Sequence, residues 1–253
     1  MSEITADELM TVSAARELTD RTVCFVGIGL PSTAANLARL TRAPRTVLVY
    51  ESGTIGSKPA NLPLSIGDGE LAETADAVVS VPEMFAYWLQ GRRINAGFLG
   101  AAQIDRLGNL NSTVIGDYER PKVRLPGGGG APEIAAMAKE VIVIMRQSRR
   151  SFVDRLDFRS SVGYGAAPGD RKRLGMPGRG PTVVITDLGV LRPDPETCEL
   201  TLTQVHPGVS VDQAREQTGW PLRVSDDLEE TAAPSDQELR ELRELRATLE
   251  APA

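Results

Sequence analysis

Three groups of residues in this chain have the types and spacing that chemistry requires. The first is Glu51, which follows the apolar run TVLVY (residues 46–50) and precedes Ser52 and Gly53. A carboxylate at the C-terminal end of a buried strand stands where α/β sheets place their ligand sites, and the Ser-Gly pair after it permits a sharp turn. There it can act as a base, as a clamp for a ribose hydroxyl or as a nucleophile, unless it is an ordinary solvated loop acid. The second group is PGGGGAPE (residues 126–133), which holds Gly127, Gly128, Gly129, Gly130 and Ala131 just ahead of a helical pattern. A run of glycines is costly in backbone entropy, so it calls for positive φ angles or a close approach of backbone to ligand. Amides ahead of a helix can hold an anion or the oxyanion of an acyl transfer, whereas a flexible surface loop would need neither. The third is GIGLPS (residues 27–32), where Gly27 and Gly29 form part of a dinucleotide fingerprint and Glu51 falls near the distance of a ribose-binding acid. Ser32 occupies the place of the third glycine, so a tight strand-to-helix turn explains this stretch equally well.

Composition narrows the classes of function. The chain has 253 residues, 41% hydrophobic and 25% charged, enough for a substantial core, and no apolar run reaches the roughly 20 residues of a membrane helix. Its N-terminus, MSEITADELM, is acidic and polar, which predicts a cytoplasmic protein without a signal peptide. Net charge is -6, and residues 226–253 hold nine acids and three arginines, leaving 25 acids against 25 bases elsewhere. A balanced body with 4% aromatic residues offers no footprint for nucleic acid. The single histidine, His206, limits Ser-His-Asp catalysis and argues against a multi-histidine metal site, so a packed or capping role is expected for it. Cys24 and Cys198 lie in apolar, strand-like runs and are expected to be buried free thiols.

The elements that must position these groups follow from periodicity. A capping box at Thr5 and Glu8 opens a helix to about residue 18, and TVCFVGIG, a helical stretch ending before Pro44, and TVLVYE then read as strand, helix, strand. The alternation continues through ADAVVSV, a helix at PEMFAYWLQG with proline at its start, INAGFLGA, a short STVIG and EVIVIM. Such alternation predicts an α/β fold with a mostly parallel sheet covered by helices on both faces. Residues 160–181, rich in glycine and proline, read as a long loop or lid. TVVITDLGVL and ELTLTQVHPG form a hairpin or neighbouring strands, and SVDQAREQTGW a short helix. A single domain over residues 1–253 is expected, closing with an amphipathic helix at about 235–250. Its capping box is Ser235 and Glu238, and its stripe of Leu239, Leu242, Leu245 and Leu249 packs on the domain or on a partner chain.

Taken in order, the segments VGIGLP, ARLTRAP, VYESG, LPLSIGD, GFLGAAQIDRLGNLNSTVIGDYERPKVRLPGGGGAPEIA, RRSFVDRLDF, LGMPGRGP and VVITDLGVL resemble the β subunit of family I CoA-transferases, closest to the glutaconate CoA-transferase type. The resemblance implies a CoA-transferase-like fold and makes Glu51 the nucleophile that carries CoA as a glutamyl thioester. It implies that Gly129 and Gly130 form the oxyanion hole, with Gly27, Gly29, Ser52, Gly53, Gly127, Gly128 and Ala131 around the CoA or substrate. No permanently bound cofactor and no metal is implied. CoA thioesters and carboxylic acids are the substrates, and a separately encoded α subunit completes the site in an α2β2 or larger assembly. Ser52 stands where ketoacid-type relatives carry the asparagine of SENG, which favours the glutaconate-like branch and its 3-oxoadipate transferases. Two other readings are a hydrolase or retro-Claisen enzyme acting on CoA thioesters and a non-catalytic partner subunit. Relatives of the hydrolase kind replace the glutamate that Glu51 retains.

Overall fold

The apolar runs become the strands of one ten-stranded sheet. The computed structural model describes residues 4–250, the side chains of Leu249 and Glu250 excepted. In chain order the strands of the main sheet are β1 (Val23–Val26), β2 (Val47–Val49), β3 (Thr54–Ile55), β4 (Ala77–Val78), β5 (Ala96–Leu99), β6 (Glu140–Ile144), β7 (Pro181–Ile185), β8 (Gly189–Pro193), β9 (Leu200–Val205) and β10 (Arg223–Glu230). They lie side by side as β10-β9-β8-β7-β6-β5-β1-β2-β3-β4. The central strands β2, β1, β5, β6 and β7 are parallel. Antiparallel pairs join β2 to β3 and β3 to β4 at one margin, and β7 to β8 and β8 to β9 at the other.

Alternate residues of the central strands enter two separate cores. Cys24, Leu48, Tyr50, Ile142 and Ile144 face one, with Leu37, Leu242 and Leu245 from its helices, whereas Phe25, Val49, Val141 and Val143 face the other, with Met84, Leu89 and Ile134. Burial on both faces is why these strands read as continuous apolar runs rather than as an alternating pattern. The helices are α1 (Ala6–Arg16), α2 (Leu30–Leu40), α3 (Ala131–Met137) and α4 (Asp236–Glu250), with shorter helical turns between them. Both expected capping boxes on the flanking helices form: Thr5 with Glu8, and Ser235 with Glu238. Leu239, Leu242 and Leu245 are buried against the domain, so that part of the stripe is used within the chain; the side chain of Leu249 lies outside the described residues.

Several expectations need correction. PEMFAYWLQG is not a simple α-helix: one turn at Val81–Glu83, capped by Ser80, runs into a π-helix over Met84–Leu89. Only Ala77–Val78 of ADAVVSV pairs, as an exposed edge strand. The strand of STVIG, Val114–Gly116, pairs with Pro121–Arg124 outside the main sheet. Cys198 sits half-buried in a turn with φ of 59°, not in a strand, because the chain reverses there between β8 and β9. The acids among residues 226–230 lie on β10, at the edge of the sheet, where charge discourages further pairing. The 160–181 segment is tied down by buried Arg171, which donates to the carbonyls of Gly163 (2.8 Å), Gly178 (2.9 Å) and Ala135 (2.9 Å). His206 is packed as expected, between Thr231 Oγ1 and the Thr186 carbonyl at 2.8 Å each, and burial lowers its pKa. Among the described residues no helix is long and apolar enough to cross a membrane.

Candidate active site

Glu51 leaves the sheet where β2 ends. Tyr50 N–H donates to Thr54 O at 3.1 Å, Gly53 N–H to Tyr50 O at 3.0 Å, and Gly56 N–H to Leu48 O at 2.8 Å, which folds β2 back on β3 through a tight turn. Gly53 makes that turn with φ of 102°, and a β-carbon there would stand 2.0 Å from Val79 O. Both the left-handed backbone and the close approach of Val79 demand glycine. Glu51 is therefore held half-exposed on the rim of the sheet by a turn that no other residue at position 53 can make.

The glycine run arrives at the same rim from the other side of β1. The Val114–Gly116 ribbon extends into it as Leu125 N–H donates to Thr113 O and Gly127 N–H to Ser112 O, while Ser160 Oγ holds Ser112 N–H at 2.9 Å. Ala131 N–H turns back to Gly128 O at 2.9 Å and α3 begins, with Pro132 in its first turn. Between these bonds the amides of Gly128, Gly129 and Gly130 meet no backbone acceptor among the described residues. A β-carbon on Gly129 would lie 3.8 Å from each Glu51 carboxylate oxygen, and one on Gly130 would lie 3.3 Å from Glu51 Cδ. The carboxylate and the two glycines expected as its partners are thus neighbours.

Of the remaining expected residues, Ser52 and Gly53 belong to the turn itself, and Ser52 Oγ is buried without a hydrogen-bond partner among the described residues, as is Thr54 Oγ1. Gly127 has φ of 103° in open space, and a β-carbon on Gly128 would press on Pro132 Cγ at 2.9 Å. Ala131 is the first residue of α3. Gly27 follows β1 and packs on Phe98 O and Pro31; Gly29, with φ of 82°, caps α2 and has nothing within 4 Å of a β-carbon. Glu51 is not among the atoms nearest a β-carbon on either of these two.

Sequence reasoning missed two neighbours. Phe85, on the π-helix, puts its ring 2.6 Å from where a β-carbon on Gly130 would be, and stacks at a tilt against Phe25 with centroids 5.9 Å apart. Its register depends on the extra residue per turn of the π-helix, for which the local sequence holds no cue. Tyr50 is fully buried, and its hydroxyl meets Ser32 Oγ at 3.2 Å and Asn36 Nδ2 at 3.3 Å. Burial raises its pKa, with those two bonds working the other way, so the ring stays neutral. The serine in the place of the third fingerprint glycine was the available signal.

A half-exposed carboxylate beside unpaired glycine amides at a sheet edge is an arrangement suited to attack on an acyl group whose developing oxyanion the amides receive. Comparison with known proteins decides the family. The coenzyme A transferase family model matches residues 8–217. The chain belongs to the coenzyme A transferase family. Within the family it is 61% identical over 247 residues to the B subunit of 3-oxoadipate CoA-transferase from Pseudomonas knackmussii, covering 98% of this chain and 95% of that one. The B subunit of glutaconate CoA-transferase from Acidaminococcus fermentans is 36% identical over 246 residues, covering 95% of this chain and 91% of that one. The crystal structure of glutaconate coenzyme A-transferase from the same organism superposes with a TM-score of 0.91 over 99% of both chains, at 33% identity. The CoA-transferase fold implied by the sequence is therefore the fold observed.

Proposed function

We propose that this chain is the nucleophile-bearing β subunit of a heteromeric CoA-transferase that moves CoA between an acyl-CoA and a free dicarboxylic or 3-oxo acid. The observation that carries this reading is the meeting of Glu51 with Gly129 and Gly130 on the rim of the sheet. In the first step a Glu51 carboxylate oxygen attacks the thioester carbonyl; the C–S bond breaks, and an acyl-glutamyl anhydride and CoA thiolate result. The thiolate then attacks the glutamyl carbonyl, expels the donor as its carboxylate and leaves CoA on Glu51 as a thioester. The acceptor carboxylate attacks that thioester and the two steps run in reverse, so the exchange follows ping-pong kinetics. At each attack the amides of Gly129 and Gly130 receive the negative charge that grows on the carbonyl oxygen.

The similarity to two proteins named as B subunits supports a separately encoded α subunit as the partner, in an α2β2 or larger assembly, and a lone β chain without activity. The stronger likeness to a 3-oxoadipate transferase supports a six-carbon 3-oxo dicarboxylic acid as acceptor, with a cytoplasmic enzyme handling soluble acids. To test this, the reconstituted complex is treated with an acyl-CoA in the absence of acceptor and then with borohydride. Reduction of the Glu51 thioester to an alcohol should abolish activity and mark that residue in a peptide map. Full transfer activity in Glu51→Ala would defeat the proposal, and CoA release that does not depend on added acid would move the chain to the hydrolases.

A further inference from the structure

We infer that Tyr50, Ser32 and Asn36 form a positioning network that sets the Glu51 carboxylate for attack, an inference that rests on Glu51 as nucleophile. Three polar side chains sit in the apolar core between α2 and β2 with exposures of 0%, 1% and 0%. Asn36 Nδ2 donates to the Ser32 carbonyl at 3.0 Å and to Tyr50 Oη at 3.3 Å; Tyr50 Oη and Ser32 Oγ are 3.2 Å apart. Buried polar groups in a core of Leu37, Leu48 and Phe98 are expensive relative to apolar side chains of the same shape, so packing alone does not account for them.

Their placement does. The ladder to β1 ends at Val49, one residue short of Tyr50, and Glu51 lies in a turn outside any strand. Tyr50 is the last residue before the turn that has its side chain in the core. A phenol hydroxyl gripped from α2 holds this residue against sliding or twisting along the strand axis, which apolar contacts resist weakly because they are not directional. The same helix also holds the chain beyond the turn: Arg39 Nη2 donates to Pro59 O at 3.2 Å and reaches Asn36 Oδ1 at 3.4 Å. The segment carrying Glu51 is thereby held at residue 50 and at residue 59 by one side of α2. Attack on a thioester needs the carboxylate within about 0.5 Å of its productive place, which a turn supported only by its own backbone bonds does not guarantee.

The test uses the reconstituted complex. Tyr50→Phe removes one oxygen and keeps the ring. It should lower kcat about tenfold, slow formation of the borohydride-sensitive thioester by the same factor, and leave KM for acyl-CoA within about twofold. Ser32→Ala, which leaves the bond from Asn36 to Tyr50 Oη in place, should give a smaller loss in the same direction, and the double variant should be no worse than Tyr50→Phe alone, because the phenol oxygen is the partner both bonds share. Should Tyr50→Phe fail to fold, Ser32→Ala, which leaves the tyrosine in place, carries the same comparison. Unchanged kcat in a folded variant, or a rise in KM alone, overturns the positioning role. A Glu51→Ala complex that still transfers CoA would instead overturn the nucleophile reading, whatever Tyr50→Phe does, so the two failures are told apart.

Discussion

The two margins of the sheet are built on opposite principles. At the margin of β3 and β4 the strands are two residues long, Val78 on the outermost strand is 60% exposed, and the hydroxyls of Ser52 and Thr54 are buried without partners among the described residues. Chain reversal there depends on Gly53 and Gly56, where a β-carbon would come within 2.0 Å of Val79 O and 2.2 Å of Asp76 Oδ2. At the opposite margin β8, β9 and β10 run for five, six and eight residues, and His206 is bonded through both ring nitrogens. One margin is short, glycine-dependent and incompletely paired, and it carries the carboxylate of Glu51; the other is long and well bonded. The contrast teaches that the site is held by close backbone approach rather than by ladder length.

Substitutions can break or sharpen this contrast. The largest effect is expected from Glu51→Ala, which should lower transfer by about 10⁴-fold in the reconstituted complex if the proposed nucleophile is lost, with unchanged far-UV dichroism. Gly130→Ala should follow at about 10²-fold in kcat: the amide is kept, but the new methyl meets Phe85 Cζ at 2.6 Å and crowds Glu51 Cδ, so the amide proposed as an oxyanion donor is displaced from its place. Combining it with Phe85→Leu relieves the first clash and should recover part of the rate. Gly53→Ala should destabilise by about 3 kcal/mol in urea unfolding, since φ of 102° and the Val79 carbonyl both oppose it. At the other margin His206→Ala, which strands Thr231 Oγ1 and the Thr186 carbonyl, should cost about 2 kcal/mol of stability and leave kcat unchanged.

The smallest effect concerns the helix layer, away from both margins. Arg243 donates to Glu8 at 2.7 Å and holds its pKa at about 2, below the ordinary 4.5. A depressed carboxyl adds stability that is fully present above about 4.5 and is lost as pH falls towards about 2. Arg243→Ala should therefore lower Tm at neutral pH, and the difference from the parent should shrink across that window when Tm is followed against pH.

Most of the central sheet was legible because strands buried on both faces leave uninterrupted runs such as TVLVY and EVIVIM. Helix starts were legible because capping is local: Thr5 with Glu8 and Ser235 with Glu238 bond across three residues. Glu51 and Gly127 to Gly130 stood out by type, an acid ending an apolar run and a costly glycine tract. The margins were harder to read. An eight-residue strand rich in acids, Arg223–Glu230, sets only Val224 and Leu228 against the core, too few to announce it, and forms because β9 offers it a partner. The π-helix at Met84–Leu89 has no local signature either.

By itself the sequence determined the central strands, the flanking helices with their caps and the residues capable of chemistry, since these depend on neighbours a few positions away along the chain. Only the tertiary structure decided which of those residues meet. Glu51 and Gly130 are far apart in the chain, and Tyr50, Ser32 and Phe85 come from a strand end, a helix and a π-helix that packing alone brings together. Contacts of that kind depend on how whole elements pack against one another, and no short window of sequence contains that information.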